Sequence, residues 1–361
     1  MSMEQIVFLT YINRSGSTFL ANLLNEYEDI GVSIEARMPD GILYRSLEIN
    51  KPQEIKRALE VLYSDGKFGA WNIDRNYLEG EISSLDFPIR YDQLLRTILK
   101  LFFKDRKVKV FIYKNGFYIN HIEEVKSTFP EAKFIFILRD ARAIYNSQKS
   151  SLNSETLKPM ADNPVPVAKY YKQISSIIER YNSVDWVHVI KYEDLVSNTD
   201  YEIKKLLTFL DSNLRKDLAA KSYFEKIPQK EKHLHKNVKS EALEKRIYAW
   251  RDELSKAEVM IIERILGNVL IRYGYELTKL DNISIKDRIG YLWFWSAHYV
   301  GILRFIIELV LKRLRAKEND FYQVSDLEMQ FKQLRNALRL KRKSIVKQLR
   351  TLFGLGFFVI K

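Results

Sequence analysis

The sequence has no cysteine. That excludes a disulfide framework, a thiolate zinc or iron–sulfur site and a cysteine nucleophile, and it fits a reducing compartment. Histidine is scarce as well: His121, His188, His233, His235 and His298 are the whole supply. Only His233 and His235 are close together, and two residues on a loop make half a ligand set, so no metal site is expected. The aromatic-rich stretch Ile289–Leu303 runs for 15 residues without a charge, short of the ~20 that span a bilayer. The apolar run Ile6–Ile12 is too short for a secretion signal and leads into Asn13-Arg14-Ser15-Gly16, which reads as a loop and not as a small-residue cleavage site. The N-terminus is therefore expected to be the first strand of a cytoplasmic fold.

What is present is an ordinary globular composition, 46% hydrophobic and 29% charged over 361 residues. That length suits one large domain or two moderate ones. The net charge is +13, and its location says more than its size. From residue 284 to the end there are 16 Lys/Arg against 6 Asp/Glu, whereas residues 1–283 hold 43 against 40. A nearly neutral body thus carries a basic tail, which suggests an acidic partner such as a membrane surface, nucleic acid or polyanion. Residues 1–283 are expected to form one domain and 284–361 a basic helical C-terminal extension.

Along the body, strand-like and helix-like segments alternate. Ile6–Ile12, Val32–Ile34, Val108–Tyr113, Lys133–Leu138 and Val187–Lys191 read as strands. Ser17–Tyr27, Gln53–Tyr63, Ile119–Phe129, Ala141–Ser150 and Tyr201–Leu210 read as helices, with apolar residues at three- and four-residue spacing. The order predicts an α/β fold, a parallel sheet flanked by helices on both faces. Asn153–Pro166 is polar with three prolines and reads as a loop or flap. From Arg288 to Arg350 the pattern is helical almost throughout.

The segment Asn13-Arg14-Ser15-Gly16-Ser17-Thr18 lies between the first strand and the first helix. A glycine that lets backbone approach closely, two hydroxyls and a helix N-terminus make an anion cradle. It lacks the Gly-Lys-Ser/Thr ending of a nucleoside-triphosphate loop, and Ser-Gly-Ser also serves as a helix-capping turn. Phe134–Leu138 ends in Arg139-Asp140, with Ser147 two turns into the next helix. That arginine and serine suit a second phosphate. Lys114 closes another strand, and Val187–Lys191 runs into Tyr192-Glu193-Asp194-Leu195.

Together these segments resemble the sulfotransferases that use 3′-phosphoadenosine 5′-phosphosulfate (PAPS), and the nearest pattern is that of the tyrosylprotein and carbohydrate sulfotransferases. Arg14-Ser15-Gly16-Ser17-Thr18 is similar to the family's 5′-phosphosulfate loop, and Arg139 with Ser147 to its 3′-phosphate pair. Tyr192–Leu195, and Ile247–Leu254 leading to Tyr273–Glu276, fit the same order. The resemblance covers roughly residues 5–277. It implies a P-loop-like sulfotransferase fold, PAPS as sulfonate donor with 3′,5′-bisphosphate product (PAP), and no metal. It implies Glu35 as the base on the acceptor hydroxyl and Lys114 as the cation on the transferring group, chemistry a carboxylate and an ammonium can perform. The alternative for Glu35 is an ion pair with Arg37 or Arg14, and for Lys114 a solvated strand end. Arg142 suits either assistance at the 3′-phosphate or a surface helix. His235 and Lys236 lie roughly where a late loop closes over the nucleotide or acceptor. Tyr192–Leu195 and Trp250 read as structural.

The expected acceptor is a hydroxyl on a glycan or lipid-linked glycan. The alternatives are a protein tyrosine, a P-loop nucleotide kinase, or a non-catalytic module bound to membrane or nucleic acid, although no nucleic acid is expected for the enzyme. Two readings of the tail stay open. In one, aromatic residues lie at the headgroup level and Lys/Arg clusters meet anionic lipid at the inner face of the membrane. In the other, the tail is a helical subdomain or dimer interface with a solvated basic face. Docking of an anionic glycan or lipid-linked acceptor is a third use.

Overall fold

A computed structural model describes residues 4–36, 49–65, 67–153, 156–212, 215–216, 243–279 and 281–315. The chain divides into two compact units, Met1–Tyr291 and Leu292–Lys361. The first is built on a five-stranded sheet in the order β2-β3-β1-β4-β5. Its strands are β1 (Gln5–Tyr11), β2 (Ile30–Val32), β3 (Val110–Lys114), β4 (Lys133–Leu138) and β5 (Val187–Lys191). Every pairing is parallel. Ile6, Val7, Phe8 and Leu9 are all fully buried, because a parallel sheet needs helical crossovers that cover both faces. The neighbours of β1 are reached from opposite sides. The chain passes through β2 to β3 on one flank, then crosses to β4 on the other. Such a reversal opens a crevice at the carboxyl ends of the strands. The register sets Leu9 beside Lys114, Tyr11 beside Ile137 and Leu138 beside Lys191, so the segments leaving β1, β3, β4 and β5 share that edge.

Several elements differ from expectation. The second strand is Ile30–Val32, not Val32–Ile34. Ser33 still donates its amide to the Ile112 carbonyl, but its side chain accepts from the Lys114 amide, and this side-chain contact ends the ladder. The helix expected over Ile119–Phe129 is a 3₁₀ turn, Gly116–Asn120, followed by a helix Ile122–Thr128. The break falls at His121, whose φ of −133° is not helical. The proline-rich loop ends early: Pro164 starts the helix Pro164–Tyr181, with the Asn163 side chain accepting from the Val165 amide, the N-terminal place where proline is tolerated. The helices Arg75–Ser83, Tyr91–Phe102 and Lys256–Arg272 were not anticipated either. The last opens with a capping box between Ser255 and Glu258 and packs on Pro164–Tyr181 and Ala141–Ser150. Of the helical tail, Ile285–Arg315 is described; the remainder lies outside the described residues. No described helix is long and apolar enough to cross a membrane.

Arg142 is neither a surface residue nor free for a ligand. It is 2% exposed, and it donates to Asp140 through Nε (3.0 Å) and Nη2 (2.7 Å), and to Glu263 Oε1 through Nη1 (2.6 Å). Its guanidinium carbon stands 3.9 Å from the Trp250 ring centre. Burial works against the charge, but the bonds and charges of Asp140 and Glu263 outweigh it and raise the Arg142 pKa above the ordinary value. Asp140 also caps the helix Ala141–Ser150 by accepting from the Arg142 amide. This knot joins the end of β4 to the helix Lys256–Arg272. Arg142→Ala would leave two carboxylates buried without their cation, so it is expected to lower stability by about 3–5 kcal/mol. The urea midpoint of unfolding checks this.

Candidate active site

The turn after β1 is shaped by two left-handed residues, Arg14 (φ 74°) and Gly16 (φ 96°). The Ser15 amide closes it on the Ile12 carbonyl at 3.0 Å. Gly16 has no alternative here. A β-carbon on it would stand 2.2 Å from Cδ2 of Tyr192, and its φ already disfavours any side chain. Gly16 is the N-cap of the helix Ser17–Leu24, and no side chain caps that helix. Leu20 donates its amide to the Gly16 carbonyl; the amides ahead of it belong to the first turn, which has no partners within the helix. Together with the helix dipole they form an anion-binding end. Ser15 Oγ is buried there without a hydrogen-bond partner, and its hydroxyl can donate to an anion's oxygen.

A cluster of cations stands beside this turn. Arg14 donates from Nε to Ser147 Oγ at 3.0 Å. Gln148, the next residue, donates to the Asn13 carbonyl and ties the helix Ala141–Ser150 to the loop. Arg139 leaves the end of β4 and donates to the carbonyls of Arg14 (3.0 Å) and Arg246 (3.1 Å). Its Nε is buried with no partner, and its guanidinium lies 4.4 Å from the Tyr192 ring centre. Burial first, then the positive charges of Arg139 and Arg246, push the Arg14 pKa down to about 10. Burial lowers the Arg139 pKa as well. The two predicted phosphate positions, the loop and the Arg139/Ser147 pair, thus form a single cluster.

The second part of the site lies between β1 and β3. Lys114 is 5% exposed and donates from Nζ to the Tyr11 hydroxyl at 3.3 Å. Glu35 is carried past β2 on an extended segment strapped to β3. The Ala36 carbonyl accepts from the Tyr113 hydroxyl (3.2 Å) and from Asn115 Nδ2 (3.0 Å). The partner of Glu35 is Lys67, whose Nζ is 3.3 Å from Oε1; Arg37 lies outside the described residues. Burial raises the Glu35 pKa, but the charges of Lys114 and Lys67, with the hydrogen bond from Tyr11, more than reverse this and hold it below the usual carboxylate value. Glu35 is therefore ionised at neutral pH.

The remaining expectations sort themselves by contact. Glu193 accepts from the Asp140 amide and the Tyr275 hydroxyl, both at 2.9 Å, and so joins the starts of two helices to the later chain. Trp250 is buried under Arg142. His233, His235 and Lys236 lie outside the described residues. Among the described residues no group of three His, Asp or Glu side chains is placed to hold a metal. The sequence reading missed Arg246, Lys67 and Tyr11. Tyr11 lies in the first strand, two residues ahead of the anion loop, where it reads as one more apolar position, whereas Lys67 and Arg246 stand outside every motif, with the basic character of Lys245-Arg246 ahead of Ile247–Leu254 as a hint for the latter.

Residues 7–216, more than half of the chain, match the sulfotransferase family. No curated protein matches the chain. Among solved structures, the sulfotransferase domain of the Synechococcus PCC 7002 olefin synthase is similar at 15% identity and a TM-score of 0.51, over 76% of this chain and 96% of that one. The sulfotransferase domain from the curacin biosynthetic pathway is 18% identical with a TM-score of 0.46, over 77% of this chain and 100% of that one. Mouse sulfotransferase SULT7A1, solved with PAP, is 13% identical with a TM-score of 0.39, over 81% of this chain and 90% of that one. At such identities the likeness to the Synechococcus domain concerns the fold.

Gly16→Ala is expected to destabilise the chain by about 1–3 kcal/mol, from left-handed backbone strain and the collision with Tyr192. Thermal unfolding measures it. The variant should also lose any protection that the wild-type chain gains from pyrophosphate, because the loop must open to fit the methyl group.

Proposed function

The chain belongs to the sulfotransferase family, and on that premise we propose that it moves a sulfonate group from PAPS to an acceptor hydroxyl, with Glu35 as base and Lys114 as the cation on the transferring group. The observation that carries the reading is a cation-rich anion cradle and a lysine–carboxylate pair on one sheet edge, joined through Tyr11. The unpartnered Ser15 Oγ and Arg139 Nε, and the uncapped helix, fit a nucleotide with two anionic ends. Arg14 and Ser15–Thr18 would hold the 5′-phosphosulfate. Arg139 and Ser147 would hold the 3′-phosphate, with Arg246 adding charge.

Bound there, PAPS supplies an activated sulfonate on a phosphate leaving group. The protein's own part is positioning and charge. Arg14 and Arg139, already desolvated, need little reorganisation to meet an anion. Lys114 would present its buried ammonium to the leaving phosphate, where a cation can offset growing negative charge. The Glu35 carboxylate takes the acceptor's proton on an oxygen. Because its pKa is held low, it stays ready for that proton through the neutral range and loses its capacity as pH falls below the usual carboxylate value.

The acceptor in this reading is a glycan or lipid-linked glycan hydroxyl met at a membrane surface. The support comes from the second unit. Its helix exposes Leu292, Tyr299, Val300, Leu303, Ile307 and Leu311 at helical spacing, and Trp293 is 60% exposed beside them. The chain from residue 284 onward is strongly basic. An exposed apolar stripe with aromatic residues and nearby Lys/Arg suits an anionic lipid surface. A protein tyrosine is the second reading, supported by the likeness of the Glu35 and Lys114 positions to the tyrosylprotein enzymes.

Thermal unfolding with PAP, ADP and ATP, with and without magnesium, tests the nucleotide. PAP at 100 times its dissociation constant should stabilise by about 2.7 kcal/mol without magnesium, and Arg139→Ala should abolish that shift. A shift with ATP and magnesium alone would move the chain to the kinase reading. Glu35→Gln and Lys114→Ala should keep the PAP shift while turnover falls about 100-fold or more.

Vesicle sedimentation tests the surface. The full chain should pellet with phosphatidylserine-containing vesicles, less with phosphatidylcholine alone and less at high salt. Trp293→Ser with Leu303→Ser should release it. Equal recovery from every vesicle type would remove the lipid reading.

A further inference from the structure

Among the described residues, the Glu35 carboxylate is paired with the Lys67 ammonium at 3.3 Å, accepts from the Tyr11 hydroxyl and feels the charge of Lys114. Lys114 belongs to the machinery just described; Tyr11 has entered it as the link between Lys114 and Glu35, and Lys67 has no part in it so far. We infer that Tyr11 and Lys67 are positioning residues, which lock Glu35 in reach of Lys114. The inference rests on the assignment of Glu35 as base.

The hydrogen bonds around Tyr11 have one possible direction. An ionised carboxylate accepts and an ammonium donates. A hydroxyl between them must therefore donate its proton to Glu35 and offer a lone pair to Lys114 Nζ, which stands 3.3 Å away. The phenol makes both bonds at once and spaces the two charged groups. Its ring has little freedom to do otherwise. Tyr11 is the last residue of β1 and is buried. A β-carbon on Gly116 would stand 2.7 Å from the Tyr11 carbonyl oxygen and 3.4 Å from the ring, so the absence of a side chain at Gly116 is what lets the two segments meet.

Lys67 approaches from the other side on a fixed mount. Its amide donates to Asp65 Oδ1 at 3.0 Å. The 3₁₀ turn that follows, Phe68–Trp71, is anchored by two buried rings, and Trp71 packs edge-on against Tyr113, the neighbour of Lys114. The side chains of Lys67 and Glu35 are 26% and 33% exposed. A pair still open to solvent on one side adds little to global stability, so its effect belongs in the chemistry of Glu35 and not in the unfolding midpoint.

The test is the pH profile of kcat/KM under PAPS saturation for Tyr11→Phe, Lys67→Met, Lys67→Arg and Glu35→Gln. Removing the phenol's hydrogen bond or the Lys67 charge should raise the Glu35 pKa, which moves the acid limb to higher pH. For Tyr11→Phe, kcat should also fall about tenfold at neutral pH, with KM for PAPS and the PAP thermal shift unchanged. Lys67→Arg should restore the wild-type limb. Each residue is judged by its own variant, and an acid limb and kcat both unmoved would overturn its role. If Glu35→Gln retains wild-type turnover, the base assignment itself fails. If Glu35→Gln is inactive while the other variants match wild type, the base stands and the positioning inference falls.

Discussion

The candidate site depends on one close approach, Gly16 against the ring of Tyr192. Without a β-carbon, the chain leaving β1 turns through a left-handed residue directly into a helix, and the uncapped amides of that helix gather at the edge of the sheet. Tyr192 is held in turn by the first turn of the helix after β5, where Glu193 bonds to the Asp140 amide and Tyr275. The same ring supports Arg139. A single contact therefore couples three strand ends, and displacing it would spoil the loop and the arginine together.

Two arginines just past β4 show how surroundings decide what a guanidinium can still bind. Arg142 meets Asp140 and Glu263 and is neutralised where it lies. Arg139, three residues earlier and next to the end of β4, meets backbone carbonyls and leaves Nε without a partner. A guanidinium bound to carboxylates has no capacity left for a ligand. One bound to carbonyls keeps its full charge, and neighbouring Arg14 and Arg246 strengthen the local field. At the other end of the crevice the balance reverses. A carboxylate faces two ammonium groups and a phenol, so it stays ionised although partly buried. The edge of the sheet thus gathers arginines beside the loop and two ammonium groups beside Glu35, while Asp140 and Glu193 are taken up by Arg142, a backbone amide and Tyr275.

The parts legible in the sequence were those encoded locally. The anion loop is six consecutive residues between a strand and a helix, and Arg139 and Lys114 stand at the ends of strands whose apolar runs are unmistakable. Tyr91–Phe102 was equally readable, with buried Tyr91, Leu94, Leu95, Ile98 and Leu99 at helical spacing, yet it carries no motif to draw attention. The shift of β2 to Ile30–Val32 was not readable, because it turns on the Ser33 side chain accepting the Lys114 amide, a contact across the fold.

By itself the sequence determined the alternation of strands and helices, the place of the glycine-containing turn after the first strand and the kinds of side chain at each strand end, because these follow from periodicity and short-range sterics. Only the tertiary structure decided their partners. It gave Glu35 to Lys67 and Tyr11, buried Arg142 in a structural knot, and brought Arg246 beside Arg14. The physical reason is that a charge's role depends on what lies within a few ångströms of it, and those neighbours come from segments that the chain itself keeps far apart.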